Sequence, residues 1–167
     1  MQFELIHTFK ASPTAVMNAL LDPELGQPLT ERMTTIIEIE TLSRTEDGDK
    51  VTLRTRYLPV PLIKKVATKE INPRWMEWVS EVTFDLKTTK GEFRNIPTTG
   101  RIANLMDNYG TMTLTDLGNG TTRRVIAGEL RIKVPVLGRI AEKIIYKEAA
   151  KILDEEAAVR QSILEGK

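Results

Sequence analysis

The sequence predicts an α+β fold: one curved antiparallel sheet of about seven strands wrapped around a long C-terminal α-helix, with two short helices after the first strand. Three observations carry this. Apolar and polar residues alternate from Gln2 to Phe9 and again in segments between 33 and 134, the period of strands that bury one face. Ser12-Pro13 and Asp22-Pro23 each set a capping side chain before a proline, which marks a helix start. Between Pro135 and Glu165 no proline interrupts a run whose apolar positions recur at helical spacing.

Each element follows in order. Phe3, Leu5, His7 and Phe9 share one face of the opening strand. "SPTAVMNALLD" forms the first short helix, and Gly26 and Pro28 keep the second short. "MTTIIEIETLSRTEDGDKVTLRTRYL" reads as two strands joined at 46–50, where Asp47-Gly48 supplies a hairpin turn, with Ile37 and Ile39 on one face and Glu38 and Glu40 on the other. "WMEWVSEVTFDL" sets Met76, Trp78, Val82 and Phe84 inward, with Trp75 and Trp78 on opposite faces of the strand. "GEFRNIP" is a shorter strand. The last hairpin turns at Gly118-Asn119-Gly120, and its second arm places Ile126, Gly128, Leu130, Ile132 and Val134 on one face. The closing helix, 136–164, would span roughly 40 Å. Its Leu137, Ile144, Ile152 and Val159 stripe is expected to lie across the concave face of the sheet.

With 167 residues the chain has the length of a single domain, 1–167, able to bury a core without disulfides or metal. It contains no cysteine, which excludes thiolate chemistry. One histidine, His7, excludes sites that need two. A net charge of +1 argues against a nucleic-acid partner. No run approaches the ~20 apolar residues of a membrane span, and the first residues lack a secretory pattern, so a cytoplasmic location is expected. No phosphate loop, nucleophile elbow or zinc motif occurs, and no cofactor is expected.

The order of elements, the "F…ASPTAVMNALLDP" opening, "RWMEW" and the "GELRIKVP…LGRIAEKII" ending together resemble the START-like, or birch-pollen-allergen-like, helix-grip superfamily, in particular an uncharacterised bacterial branch of it. The layout is also similar, more loosely, to the PRELI-type phospholipid-transfer domains. The resemblance implies a cavity between sheet and helix that binds, or transfers, a lipid or other hydrophobic small molecule. Tyr57, Trp78, Phe84, Phe93, Met112, Ile144 and Ile152 are the candidate cavity residues. The superfamily also hosts enzymes, so a polyketide-cyclase-like or aromatase-like catalyst is the alternative, and an interaction module with a vestigial cavity a third.

Other residues carry candidate roles of their own. His7, among Phe3, Leu5 and Phe9, is either a hydrogen-bonded histidine at the core edge or a polar anchor and general base. Glu38 and Glu40 are explained by cross-strand pairing with Arg54 and Arg56 on a solvated face. The connection "RYLPVPLIKKVATKE" is unusually apolar for a loop. Leu62, Ile63, Lys64 and Lys65 in it are expected to form a gate over the cavity mouth, with the lysines toward a transient anionic membrane surface. Arg139, Lys143, Lys147 and Lys151, at i, i+4 spacing, read as a solvated face or as a basic ridge toward the same surface.

Overall fold

The computed structural model describes residues 1–61, 65–66, 69–70 and 72–167. Strand β1 (Gln2–Phe9) leads into α1 (Pro13–Leu20), a single 3-10 turn (Pro23–Leu25) and α2 (Gly26–Arg32). Both predicted caps form: Ser12 Oγ accepts from Ala15 N at 3.2 Å, and Asp22 Oδ1 from Glu24 N at 2.9 Å. Then come β2 (Ile36–Asp47), β3 (Lys50–Pro59) and a two-residue hairpin, β4 (Lys65–Val66) with β5 (Lys69–Glu70). Strands β6 (Trp78–Asp85) and β7 (Lys90–Pro97), helix α3 (Gly100–Ala103), strands β8 (Met106–Gly118) and β9 (Thr121–Ile132), and helix α4 (Gly138–Leu164) complete the chain.

Seven strands form one antiparallel sheet in the order β1-β9-β8-β7-β6-β3-β2. The helices cover one face of it, so that face is the concave, apolar one. Directly paired residues give its rows. One row runs Val51, Phe84, Gly91, Met112, Ile126, Leu5, and the next Leu53, Val82, Phe93, Gly110, Gly128, Phe3.

Gly110 and Gly128 pair with each other, and a Cβ on Gly110 would fall 2.2 Å from the Ala127 carbonyl oxygen. The bare backbone there leaves room for the Phe93 ring, which a Gly110 Cβ would meet at 2.8 Å. Phe93 in turn faces Phe3 at 6.3 Å, and Phe3 faces Tyr146 of α4 at 5.8 Å. These rings make an aromatic belt from sheet to helix.

Three readings of the sequence are corrected. Strand β2 carries register shifts at Ile36/Glu38 and Thr41/Ser43. The first puts Ile36 and Ile39 inside and leaves Ile37 exposed, because a bulge adds one residue and breaks the alternation. Trp75 lies in a 3-10 turn, Pro73–Met76, started by Asn72 Oδ1 accepting from Arg74 N, so it is exposed before the strand begins rather than on its outer face. Finally, Leu137 and Ile144 do not pack on the sheet: Ile144 is 52% exposed. The buried side of α4 is turned toward Glu142, Glu156, Ala157 and Arg160, and only Ile152 and Val159 of the expected stripe join a core cluster.

Candidate functional site

Strands β7 and β8 are paired only from Lys90↔Thr113 to Arg94↔Tyr109. Beyond that they part, and α3 sits in the fork. A cleft of about 460 Å³ opens there, lined by Arg94, Asn95, Ile96, Pro97, Ala103, Met106, Asp107, Asn108 and Tyr109. Neighbouring residues of a strand face opposite sides of a sheet, yet both sets line this cleft. Its lining draws on both sides of the strands: Arg94 and Tyr109 belong to the outer face, Asn95 and Asn108 to the concave one.

On the concave side Asn95 of the cleft belongs to a polar row. Thr55, Ser80 and Asn95 lie directly across from one another on β3, β6 and β7. Asn108 follows on β8, facing the same way as its partner Leu130, and its buried Oδ1 has no hydrogen-bond partner among the described residues. The next row, Tyr57, Trp78 and Pro97, presents two stacked aromatic rings with centroids 5.2 Å apart and planes 7° from parallel. A polar line bordered by aromatic surface is the composition of a site for an amphipathic small molecule.

The sequence-predicted cavity residues divide into three groups. Phe84, Phe93 and Met112 are buried in the main core cluster with Val51, Leu114 and Ile126. Tyr57, Trp78 and Ile152 border the second cluster, built on Leu29, Met33, Ile36 and Ile39. Ile144 stands on the outer side of α4, away from both. Of the expected gate, Leu62, Ile63 and Lys64 lie outside the described residues, and Lys65 begins β4.

The interior also holds a charged cluster that the sequence reading missed. Arg124 on β9, 1% exposed, donates from Nη2 to Glu156 Oε2 at 2.9 Å. Glu156 also accepts from Arg160 Nε, and Arg160 Nη1 donates to the Ala19 carbonyl. Arg124 lies over the Phe9 ring at 5.2 Å and contacts His7 Nδ1 at 3.2 Å. An arginine only donates, so His7 Nδ1 is the acceptor and Nε2 carries the proton that it gives to Asp154 Oδ1 at 3.0 Å. Burial and the nearby Arg124 charge hold the His7 pKa below its ordinary value, which keeps the ring neutral. Burial disfavours the Glu156 charge, but the two guanidiniums outweigh it and bring its pKa down to about 2. Burial raises the Tyr57 phenol, against the opposing charge of Arg160.

One signal was available for each missed residue. Arg124 falls in phase with Ile126, Gly128 and Leu130, a charge on an apolar face. Glu156 and Arg160 are an i, i+4 pair on the side of the helix opposite the basic row. On the outer face Arg56 pairs with both Glu38 and Glu40, while Arg54 pairs with Glu81 of β6. Among the described residues no group of three His, Asp or Glu side chains is placed to hold a metal ion, and no helix is long and apolar enough to cross a membrane.

Residues 4–164 match the model of the family described as "Protein of unknown function (DUF2505)", and the chain belongs to that family. No curated protein matches it in sequence. Among solved structures it is similar to norcoclaurine synthase from Thalictrum flavum in complex with dopamine and hydroxybenzaldehyde: TM-score 0.67, 14% identity, 100% of this chain and 88% of that one. It is similar to the Zhui aromatase/cyclase from Streptomyces sp. R1128, with TM-score 0.63 and 15% identity over 99% of this chain and 93% of that one. A START superfamily protein from Mycobacterium smegmatis aligns with TM-score 0.56 and 13% identity, over 99% and 97% of the two chains. At these identities the likeness is one of fold: the chain has the START-like helix-grip fold.

Proposed function

We propose that this member of the DUF2505 family binds an amphipathic hydrophobic small molecule, which enters at the fork between β7 and β8 and rests on the concave face against Tyr57 and Trp78. The observation that carries this is the cleft itself. It opens where the β7–β8 ladder ends, its volume is that of a small-molecule site, and its lining includes Asn108, whose buried Oδ1 has no partner among the described residues. A ligand donor at that atom would remove a penalty of about 1–3 kcal/mol. The fold supports the reading, since the norcoclaurine synthase structure holds two small aromatic molecules.

The buried ionisable groups favour binding over catalysis. An acid–base catalyst needs a group that exchanges protons near neutral pH and is free to reach its substrate. Glu156 is held ionised by two arginines, His7 has both ring nitrogens engaged, and the Tyr57 phenol stays protonated. Each of these groups satisfies another one, and this pattern supports a structural role.

Native mass spectrometry of the purified protein, followed by organic extraction, tests for a co-purifying ligand. A fluorescent fatty-acid analogue serves as the probe for binding. Ala103→Trp, which fills the fork, is expected to abolish uptake while the protein stays folded. Uptake unchanged in that variant, or no ligand and no uptake by the wild type, would overturn the reading.

A further inference from the structure

A second surface lies at the same end of the molecule. The outward side of the first half of α4 exposes Leu137, Ile140 and Ile144, each more than half accessible, and Val136 just before the helix is 91% exposed. At 3.6 residues per turn, Ile140, Ile144, Lys147 and Lys151 fall within about 60° of one another around the helix, with Lys143 and Leu137 at the flanks. Arg139 continues the basic row. The exposed stripe is thus apolar and cationic at once, on a chain whose overall charge is only +1. A helix that merely faces water carries polar residues there.

The approach to the helix points the same way. Val136 is held at φ 64°, a left-handed conformation that a β-branched residue rarely adopts, with its side chain in solvent. Beside it, the Leu105 carbonyl accepts from Lys133 N at 2.7 Å, and the Leu105 side chain is exposed. Strained backbone that presents an apolar side chain to water is expected where that side chain has a partner.

Charge selects the partner. A second copy of this chain, related by a twofold axis, would set the row of Arg139, Lys143, Lys147 and Lys151 against itself. Glu148 pairs with Lys151 at 2.8 Å and Glu142 feels the charge of Arg139, but among the described residues no carboxylate pairs with Lys143 or Lys147. An anionic bilayer meets both halves of the pattern. Isoleucines enter the acyl boundary, and lysine stems lie along it with their ammonium groups at the headgroups. We infer that the outward side of the N-terminal half of α4 seats on an anionic lipid surface, through Val136, Leu137, Ile140 and Ile144 flanked by Arg139, Lys143, Lys147 and Lys151. This surface would bring the Leu105 rim of the β7–β8 fork toward the bilayer. It stands whether or not the cleft holds a ligand.

Co-sedimentation with phosphatidylcholine vesicles, with and without phosphatidylglycerol, tests the inference. Wild-type protein should bind only the anionic vesicles, and salt should weaken the binding. K143E/K147E should lower affinity about thirtyfold or more, since each basic residue near such a surface contributes about fivefold. I140S/I144S, which leaves the charge unchanged, should lower it at least about tenfold. I140W, which adds a third tryptophan to Trp75 and Trp78, should show with anionic vesicles, and not with neutral ones, a blue-shifted emission component that wild type lacks. K87E/K90E changes the charge equally at the opposite end of the sheet and should bind like wild type. Absence of wild-type binding at low salt would overturn the inference. So would equal losses in the two charge-reversed variants, undiminished binding by I140S/I144S, or a vesicle-free dimer that I140S/I144S dissolves.

Discussion

The two halves of α4 belong to one helix and meet opposite surroundings. From Ile152 onward it is clamped: Ile152 and Val159 pack on α2 and β2, Ala157 enters the main core, and Glu156 and Arg160 lock to Arg124 and the end of α1. Glu155 adds a tie to the two residues that lead into β2, accepting from the backbone and hydroxyl groups of Thr34 and Thr35. Before Tyr146 the outward side carries exposed isoleucines, and the neighbouring sheet is split by the β7–β8 fork. The Phe93–Phe3–Tyr146 belt stands between the two regions. The buried charges of the second half are paired with one another, with only Arg124 Nε left without a partner among the described residues. The first half has one buried tie, Glu142 to Ile132 N and the N-terminus, and leaves its isoleucines to solvent. Four experiments can break or sharpen that division.

The largest effect is expected at Glu156. Glu156→Gln leaves Arg124 and Arg160 buried without their counter-charge and should cost about 3–5 kcal/mol in urea unfolding. The same group predicts acid sensitivity. Its folded pKa, about 2, lies below the ordinary 4.5, so the stabilisation is complete above pH 4.5 and is lost as pH falls toward 2. That change amounts to roughly 3 kcal/mol, and the Gln variant should lack this part of the acid limb. A wild-type-like stability in Glu156→Gln would erase the contrast between the halves.

Trp78→Ala comes next. Trp78 is only partly buried, so the loss should be about 2–3 kcal/mol, at the lower end for aromatic truncation. Uptake of the fluorescent fatty-acid analogue should fall as well. Lost stability with unchanged uptake would move Trp78 from the binding surface to the core.

Asn108→Leu should do the reverse. Removing a buried carbonyl that has no partner among the described residues is expected to raise stability by about 1 kcal/mol while weakening probe binding. A loss of stability there would mean that Asn108 is already satisfied in the resting protein. The smallest effect belongs to I140S/I144S, whose unfolding free energy should stay within about 0.5 kcal/mol of wild type. A loss of several kcal/mol would place those side chains in the core and remove the distinction between the two halves of the helix.

Much of the fold was legible because alternation, capping and helical period are local properties of the chain. Ser12 and Asp22 cap as their positions require, the hairpins close within the expected 46–50 and 118–120 segments, although at Gly48-Asp49 rather than Asp47-Gly48 in the first, and one uninterrupted helix ends the chain. The strand count, the antiparallel pairing and the need for a single helical cover follow from one-sided apolar faces. Local pattern failed where one residue shifts the phase. The bulge at Ile36/Glu38 turned Ile37 outward, and the 3-10 turn at 73–76 removed Trp75 from its strand.

What tertiary structure alone decided is the rotation of α4 and everything that depends on it. Hydrophobicity read along the sequence places Leu137 and Ile144 inside and Glu156 and Arg160 outside. The packed molecule reverses both, because Arg124 across the interior makes a buried carboxylate cheaper than an exposed one would suggest. The fork between β7 and β8 is a matter of pairing rather than of pattern: 95–108 reads as a long connection beside the opening, yet β7 runs on to Pro97 and β8 starts at Met106 although the ladder between them has ended. A strand's period reports which way its side chains point. Whether a neighbour is there to pair with it depends on the course of another part of the chain.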